Sequence, residues 1–279
     1  MTAEPRPSRS VAPERAHRVL HIETDAVPAR AYVIDPAGGP ANTEVENSES
    51  SSAETSSTQT SSTESANAET AAVMTTAKRQ PVGTLVLGHG AGKGTNTPDL
   101  WGLLDLADDG WRVVLVDQPW VLAGRKIATP PKTLDAGWRA VVTHLRDAGE
   151  ITGRFVQGGR SAGARVACRT AVELGADAVV ALAFPLTPPG KADDPSKWRT
   201  DEALAALDAG APLLVVQGAT DTFGGPEAIR AALPGADVAA VAGPHGFSKD
   251  PKDVVDTVRT WLGAGTRRHA AATRNADGE

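Results

Sequence analysis

Between Pro81 and Gly263 the chain carries three serines, Ser161, Ser196 and Ser248, and only Ser161 stands between glycines, in Gly159-Arg160-Ser161-Ala162-Gly163. A G-x-S-x-G pattern between a strand and a helix presents the serine hydroxyl on a tight turn. The glycines relieve the crowded backbone, and the next amide, here of Ala162, points at the oxygen that turns negative when the serine attacks a carbonyl. A neutral hydroxyl is a poor nucleophile near pH 7 and needs a base. His245 follows an apolar run in "AVAGPHGFS" and is placed to serve. The base in turn needs a carboxylate to fix its tautomer and stabilise the imidazolium. Asp221, closing "LLVVQGATD", is the choice, and Ser161, Asp221 and His245 then follow one another at separations of 60 and 24 residues. Asp221 also fits a helix cap, since "DTFGGPE" leads into a helix. Asp117 competes but precedes the nucleophile, and Asp177, Asp193 and Asp194 are the further acids. A second oxyanion donor is expected from the glycine loop His89-Gly90-Ala91-Gly92 in "LVLGHGAGKG". The Ala91 amide is the expected donor, Gly90 and Gly92 shape the loop, and His89 orients it.

The glycine loop fails two rival chemistries. A phosphate-binding G-x-x-x-x-G-K-[ST] aligned on Gly92-Lys93 meets Leu87 at its first position and Gly94 at its last. A dinucleotide G-x-G-x-x-G begun at Gly88 meets Lys93, and begun at Gly90 meets Thr95. No organic cofactor and no metal is expected. Arg160 and Arg165 could each bind an anionic substrate group or hold neighbouring loops by a salt bridge. Trp120, in "DQPWVLAGRK" after a strand, is a candidate to line the acyl or alcohol pocket. Trp101, Trp111, Trp138 and Trp261 fall where core packing suffices, and Cys168 is expected inside the core.

The elements that must position these residues read as an α/β fold. "HRVLHIETDAVPARAYVIDPAGG" predicts an antiparallel hairpin. From "PVGTLVLGHG" onwards, short Val/Leu/Ala-rich runs alternate with amphipathic stretches that often stop at glycine. Continuous apolar strands are what helices on both faces of a parallel sheet require. The expectation is a doubly wound, mostly parallel sheet with its functional groups at the C-terminal strand ends. "PLTPPGKADDPSKWR", residues 185–199, is short and Pro-rich, so little or no lid is expected.

One domain is expected over residues 16–263. Residues 1–15 are expected to be disordered, 264–279 to form a flexible tail, and about 41–80 to be a disordered Ser/Thr/Glu-rich insert. The insert holds six Glu against Lys78 and Arg79, so it contributes −4 of the formal net charge of −6. The remaining near-neutral surface argues against nucleic-acid binding. The single cysteine excludes an intramolecular disulfide framework and a Cys-based zinc cluster. The N-terminus lacks the apolar stretch of a secretory signal, and no apolar run nears the roughly 18–20 residues that span a bilayer. A cytoplasmic protein without membrane attachment is expected.

Together these residues resemble the α/β-hydrolase superfamily over roughly residues 16–263. "LVLGHGAGKG", "DQPWVLAGRK" and "QGGRSAGARVA" look like its dienelactone-hydrolase-like branch, which includes the hydrolase-like domain of a subunit of the NSL histone-acetyltransferase complex and bacterial relatives. Dienelactone hydrolases proper carry Cys as nucleophile, and Ser161 departs from them toward ester-type chemistry. The resemblance implies a triad of Ser161, Asp221 and His245 acting on a small-molecule ester or thioester. The alternative is a non-catalytic hydrolase-fold scaffold with a vestigial triad and a protein partner.

Overall fold

The computed structural model describes residues 12–23, 28–36, 44–45, 80–92, 94–125 and 130–276. Among the described residues nine strands form one sheet: β1 Arg18–Ile22, β2 Ala29–Ile34, β3 Glu44–Val45, β4 Gly83–Gly88, β5 Trp111–Asp117, β6 Arg154–Arg160, β7 Ala178–Leu182, β8 Leu213–Gly218 and β9 Asp237–Val241. Their order is β3-β1-β2-β5-β4-β6-β7-β8-β9. The strands from β5 to β9 across the sheet are parallel, while β1 and β2 form the expected hairpin and β2 joins β5 antiparallel.

Period-two alternation sorts the strand side chains onto two faces. Leu85, Leu87, Val113, Leu115, Val180 and Leu182 face the helices α1 Pro98–Gly102 and the last helix. Val86, Val114, Val116 and Phe155 face α3 Pro131–Asp147, which follows the single turn α2 Pro119–Leu122. Val179, Ala181, Leu213 and Val215 meet α4 Ala162–Thr170, α5 Asp201–Asp208 and α6 Pro226–Ala232. Helices therefore cover both faces, as the apolar strand runs require. No helix among the described residues is long and apolar enough to cross a membrane.

Three expected boundaries differ or lie out of view. Residues 1–11 of the N-terminal segment lie outside the described residues, but 12–15 are described, and Arg15 is held by Asp105 (3.3 Å) and Asp108. The charge pairing anchors a stretch whose composition alone gives no reason for order. Of the insert, residues 41–43 and 46–79 lie outside the described residues, whereas Glu44–Val45 pairs with β1 as a short parallel strand. The last helix, α7 Lys252–Ala276, passes the Gly265 region where a tail is expected. Each of its interior glycines costs about 1 kcal/mol relative to Ala, but the Ala- and Arg-rich sequence beyond them has high helix propensity. Gly265 also leaves space that the Arg154 guanidinium occupies.

A buried ionic cluster fastens the hairpin to the parallel strands. Asp35 accepts from Arg18 Nε at 3.0 Å and Arg112 Nε at 2.8 Å, and Glu150 takes Arg18 Nη2 at 2.7 Å. Burial alone would raise the Asp35 carboxyl, but the Arg18 hydrogen bond and the Arg112 and Arg18 charges outweigh it and hold it below its ordinary value. The stabilisation is therefore complete above the unfolded value, near about pH 3.9, and is lost as pH falls through the lower folded value. Asp35→Ala is expected to cost about 3–5 kcal/mol at pH 7, because Glu150 alone then faces the two buried guanidiniums of Arg18 and Arg112. The gap from wild type should narrow below about pH 4. Urea unfolding of both proteins at pH 7 and in acid measures it, and a pH-independent gap contradicts it.

Candidate active site

Ser161 sits between the end of β6 and the start of α4 with φ 53° and ψ −107°. Such a conformation is costly for a residue with a Cβ and persists only where the surroundings enforce it. They do so by close approach. A Cβ on Gly159 would lie 2.5 Å from the Gly88 carbonyl oxygen, and one on Gly163 would lie 2.6 Å from the same carbonyl. The two glycines let α4 and β6 press against the end of β4, while the Ser161 amide donates to Leu182 O on β7 at 2.9 Å. The serine is thus lifted on a turn fixed from both sides.

The structure brings His245 and Asp221 to this serine. His245 Nε2 is 2.9 Å from Ser161 Oγ, and Nδ1 is 2.8 Å from Asp221 Oδ2. An ionised carboxylate only accepts, so Nδ1 carries the proton and Nε2 is free to accept from the serine hydroxyl. Asp221 is nearly fully buried, and its Oδ1 accepts from the Phe223 amide at 2.8 Å. The Phe223 ring lies edge-on to His245, centroids 4.6 Å apart.

Sequence reasoning missed Gln217. Fully buried near the end of β8, it donates through Nε2 to Asp221 Oδ2 at 2.8 Å and to Gly224 O at 2.7 Å. The available signal was an amide inside the otherwise apolar "LLVVQG", since a polar group in a buried strand needs a partner. Three of the four competing acids have other partners. Asp117 pairs with Arg30 at 2.8 Å and accepts from Thr95 at 3.4 Å, Asp177 accepts from the Phe155 amide at 2.7 Å, and Asp194 accepts from Ser196 at 2.6 Å.

The glycine loop abuts the serine: a Cβ on Gly90 would lie 3.3 Å from Ser161 Cβ. Gly92 turns the loop with φ 90°. Ala162 opens α4, where the first amides have no intrahelical acceptor, and among the described residues neither the Ala162 nor the Ala91 amide donates elsewhere. His89 is fully buried. One ring nitrogen, Nδ1, is 2.9 Å from Gly90 O, and the other, Nε2, accepts from the Gln118 amide at 3.0 Å. Burial pushes its pKa down, and with one nitrogen accepting from an amide the ring is neutral and built into the loop. Trp120, expected at the pocket, is 1% exposed and packs on His89 with centroids 4.8 Å apart. The short helix α2 turns it under the loop, so it supports His89 and does not line the cavity.

A cavity of about 470 Å³ opens beside the loop, lined by Gly90–Gly92, Thr97–Asp99, Arg160 and Gly246. Arg160 reaches it from the elbow. Burial raises the Asp99 carboxyl, against the opposing charge of Arg160. Arg165 makes a two-pronged pair with Glu202, Nε to Oε2 at 2.6 Å, and so holds α4 to α5. Burial pushes the Cys168 thiol up to about 12, which leaves it an inert core residue. Residues 185–199 carry only the 3₁₀ turn Pro195–Lys197, and among the described residues no lid covers the strand ends. Among the described residues, no group of three or more His, Cys, Asp and Glu could hold a metal ion.

The family model of the alpha/beta hydrolase domain matches residues 81–257. The chain is similar to a lidless α/β serine hydrolase from Xanthomonas campestris, with TM-score 0.59 and 19% identity over 91% of this chain and 95% of that one. It is similar to an α/β serine hydrolase homologue from Coxiella burnetii, with TM-score 0.62 and 13% identity over 90% and 99% of the two chains. An esterase from Pyrococcus furiosus gives TM-score 0.59 and 17% identity over 92% and 98%. At these identities the likeness is one of fold. No curated protein matches the chain in sequence.

Proposed function

Because the chain belongs to the alpha/beta hydrolase domain family, which its residues 81–257 match, we propose that it is a serine hydrolase of carboxylic esters or thioesters. The observation that carries this reading is the unbroken row from Ser161 Oγ through the His245 ring to Asp221, with 2.9 and 2.8 Å links. Within the superfamily we place it in the dienelactone-hydrolase-like branch, on "LVLGHGAGKG", "DQPWVLAGRK" and "QGGRSAGARVA", with Ser161 where dienelactone hydrolases proper carry cysteine. Cytoplasm is the expected setting.

In the reaction, Ser161 Oγ attacks the acyl carbon as its proton passes to His245 Nε2. The Asp221 carboxylate faces the imidazolium through Nδ1–H and offsets its charge. The amides of Ala91 and Ala162 donate to the oxyanion. Imidazolium then gives its proton to the departing alcohol or thiol, leaving Ser161 acylated. A water molecule, deprotonated by His245, attacks the acyl carbon and frees the carboxylic acid and the serine.

A fluorophosphonate probe tests this, because it labels only an activated serine. Wild type is expected to be labelled, Ser161→Ala not at all, and His245→Ala only weakly. Folded wild type that takes no label sinks the enzyme reading and favours the scaffold alternative.

A further inference from the structure

Arg160, the last residue of β6, touches helix α1 and the histidine turn. Its Nε lies 3.1 Å from Asp99 Oδ2 in the first turn of α1, and its Nη2 donates to the main-chain oxygen of His245 at 3.1 Å. Two glycines make room for the guanidinium. A Cβ on Gly90 would approach Nη1 to 3.3 Å, and a Cβ on Gly246 would approach Nη2 to 3.5 Å. The planar group therefore passes between the glycine loop and the histidine turn, mostly shielded from solvent.

The three parts of the site leave from three different strands: the oxyanion loop from β4, the nucleophile from β6 and the base from β9. His245 spends both ring nitrogens on Ser161 and Asp221, so its main-chain oxygen is the handle that remains. A displacement of about 1 Å in such a constellation costs roughly 10²-fold in rate. A planar guanidinium suits the task because its charge faces the Asp99 carboxylate while Nη2 donates to the His245 oxygen, both from one rigid group, which a lysine ammonium on a flexible stem does not offer.

Resting on the hydrolase reading above, we propose that Arg160 is a positioning residue whose guanidinium clamps the His245 main chain and Asp99 together. The clamp sets the histidine turn against the start of α1, into which the glycine loop runs, at fixed places around Ser161. Arg160 acts through these groups and forms no bond with the reacting atoms. The rival role for the same side chain, which also borders the cavity, is to bind an anionic group of the substrate. The two roles separate in kinetics. Anion binding appears in KM for anionic substrates alone, whereas a clamp appears in kcat for every substrate.

The test uses the full chain with neutral 4-nitrophenyl acetate and the anionic 4-nitrophenyl hemiglutarate. Arg160→Met keeps the apolar stem and removes the guanidinium. It is expected to lower kcat on both esters by about 10²-fold, with KM little changed. Arg160→Lys should recover part of the loss, and Asp99→Asn combined with Arg160→Met should be no worse than Arg160→Met alone, as for two members of one link. Wild-type kcat in Arg160→Met, or a KM rise confined to the anionic ester, overturns the clamp. Should Arg160→Met not fold, Arg160→Lys decides, and wild-type kcat there overturns the clamp as well. Wild type that neither turns over these esters nor takes the fluorophosphonate overturns the hydrolase reading and the clamp with it. Turnover by wild type with kcat retained in folded Arg160 variants overturns the clamp alone.

Discussion

Asp221→Asn is expected to lower kcat by about 10⁴-fold, with KM little altered. The side chain is isosteric, so the effect isolates charge and tautomer. Asp221 Oδ2 accepts from both His245 and Gln217, while Oδ1 accepts from the Phe223 amide. An amide cannot satisfy all three donors. With its NH2 at the Oδ2 position it faces Gln217 and the imidazole Nδ1–H. The ring proton must then move to Nε2, which can no longer accept from Ser161. With its NH2 at the Oδ1 position it opposes the Phe223 N–H, and the imidazolium that forms in the reaction has no negative charge opposite it. Steady-state hydrolysis of a 4-nitrophenyl ester measures the drop. A loss of less than about tenfold, far short of what this role supplies, takes Asp221 out of the part of orienter.

Gly163→Val is expected to prevent folding, or to cost more than about 4 kcal/mol where folded protein is recovered. A Cβ there would meet the Gly88 carbonyl carbon and oxygen at 2.6 Å and the His89 nitrogen at 3.0 Å. All three are backbone atoms of β4 and of the loop beyond it, so no rotamer change relieves the clash. Either α4 moves off the sheet or the β4–β6 pairing opens, and both disturb the elbow. Gly235→Ala is the control, since its Cβ would meet only Leu207 side-chain atoms at 3.6 Å or more. It should fall within about 0.5 kcal/mol of wild type. Soluble yield and circular-dichroism melting compare the three proteins. A Gly163→Val protein that melts like wild type contradicts the close approach described for the elbow.

Much of this geometry is legible in the amino-acid sequence. Ser161, Asp221 and His245 each close or follow an apolar run, and a parallel sheet delivers the ends of such runs to one edge. Topology alone therefore gathers them. Side chains that act between elements are harder to read. Gln217 is an anomaly inside a buried strand, but its target depends on where the next loop folds back. Arg160 presents two open roles because its reach to His245 spans 85 residues of sequence. Trp120 misleads because residue type says nothing about which way a one-turn helix faces. Composition fails at the ends of the domain, where the charge pairing of Arg15 and the helix propensity of the C-terminal segment decide the outcome.

The register of β5 carries a consequence for the long Ser/Thr/Glu-rich stretch. Ile34, where β2 ends, is paired with Val113, and Gly83, where β4 begins, is paired with Trp111. The chain thus departs after Pro36 and re-enters before Gly83 at the edge of the sheet where the parallel strands start. Ser161 and His245 stand at the edge where the parallel strands finish. Whatever is grafted or trimmed between Pro36 and Gly83 is therefore joined to the domain a strand's length away from Ser161 and His245.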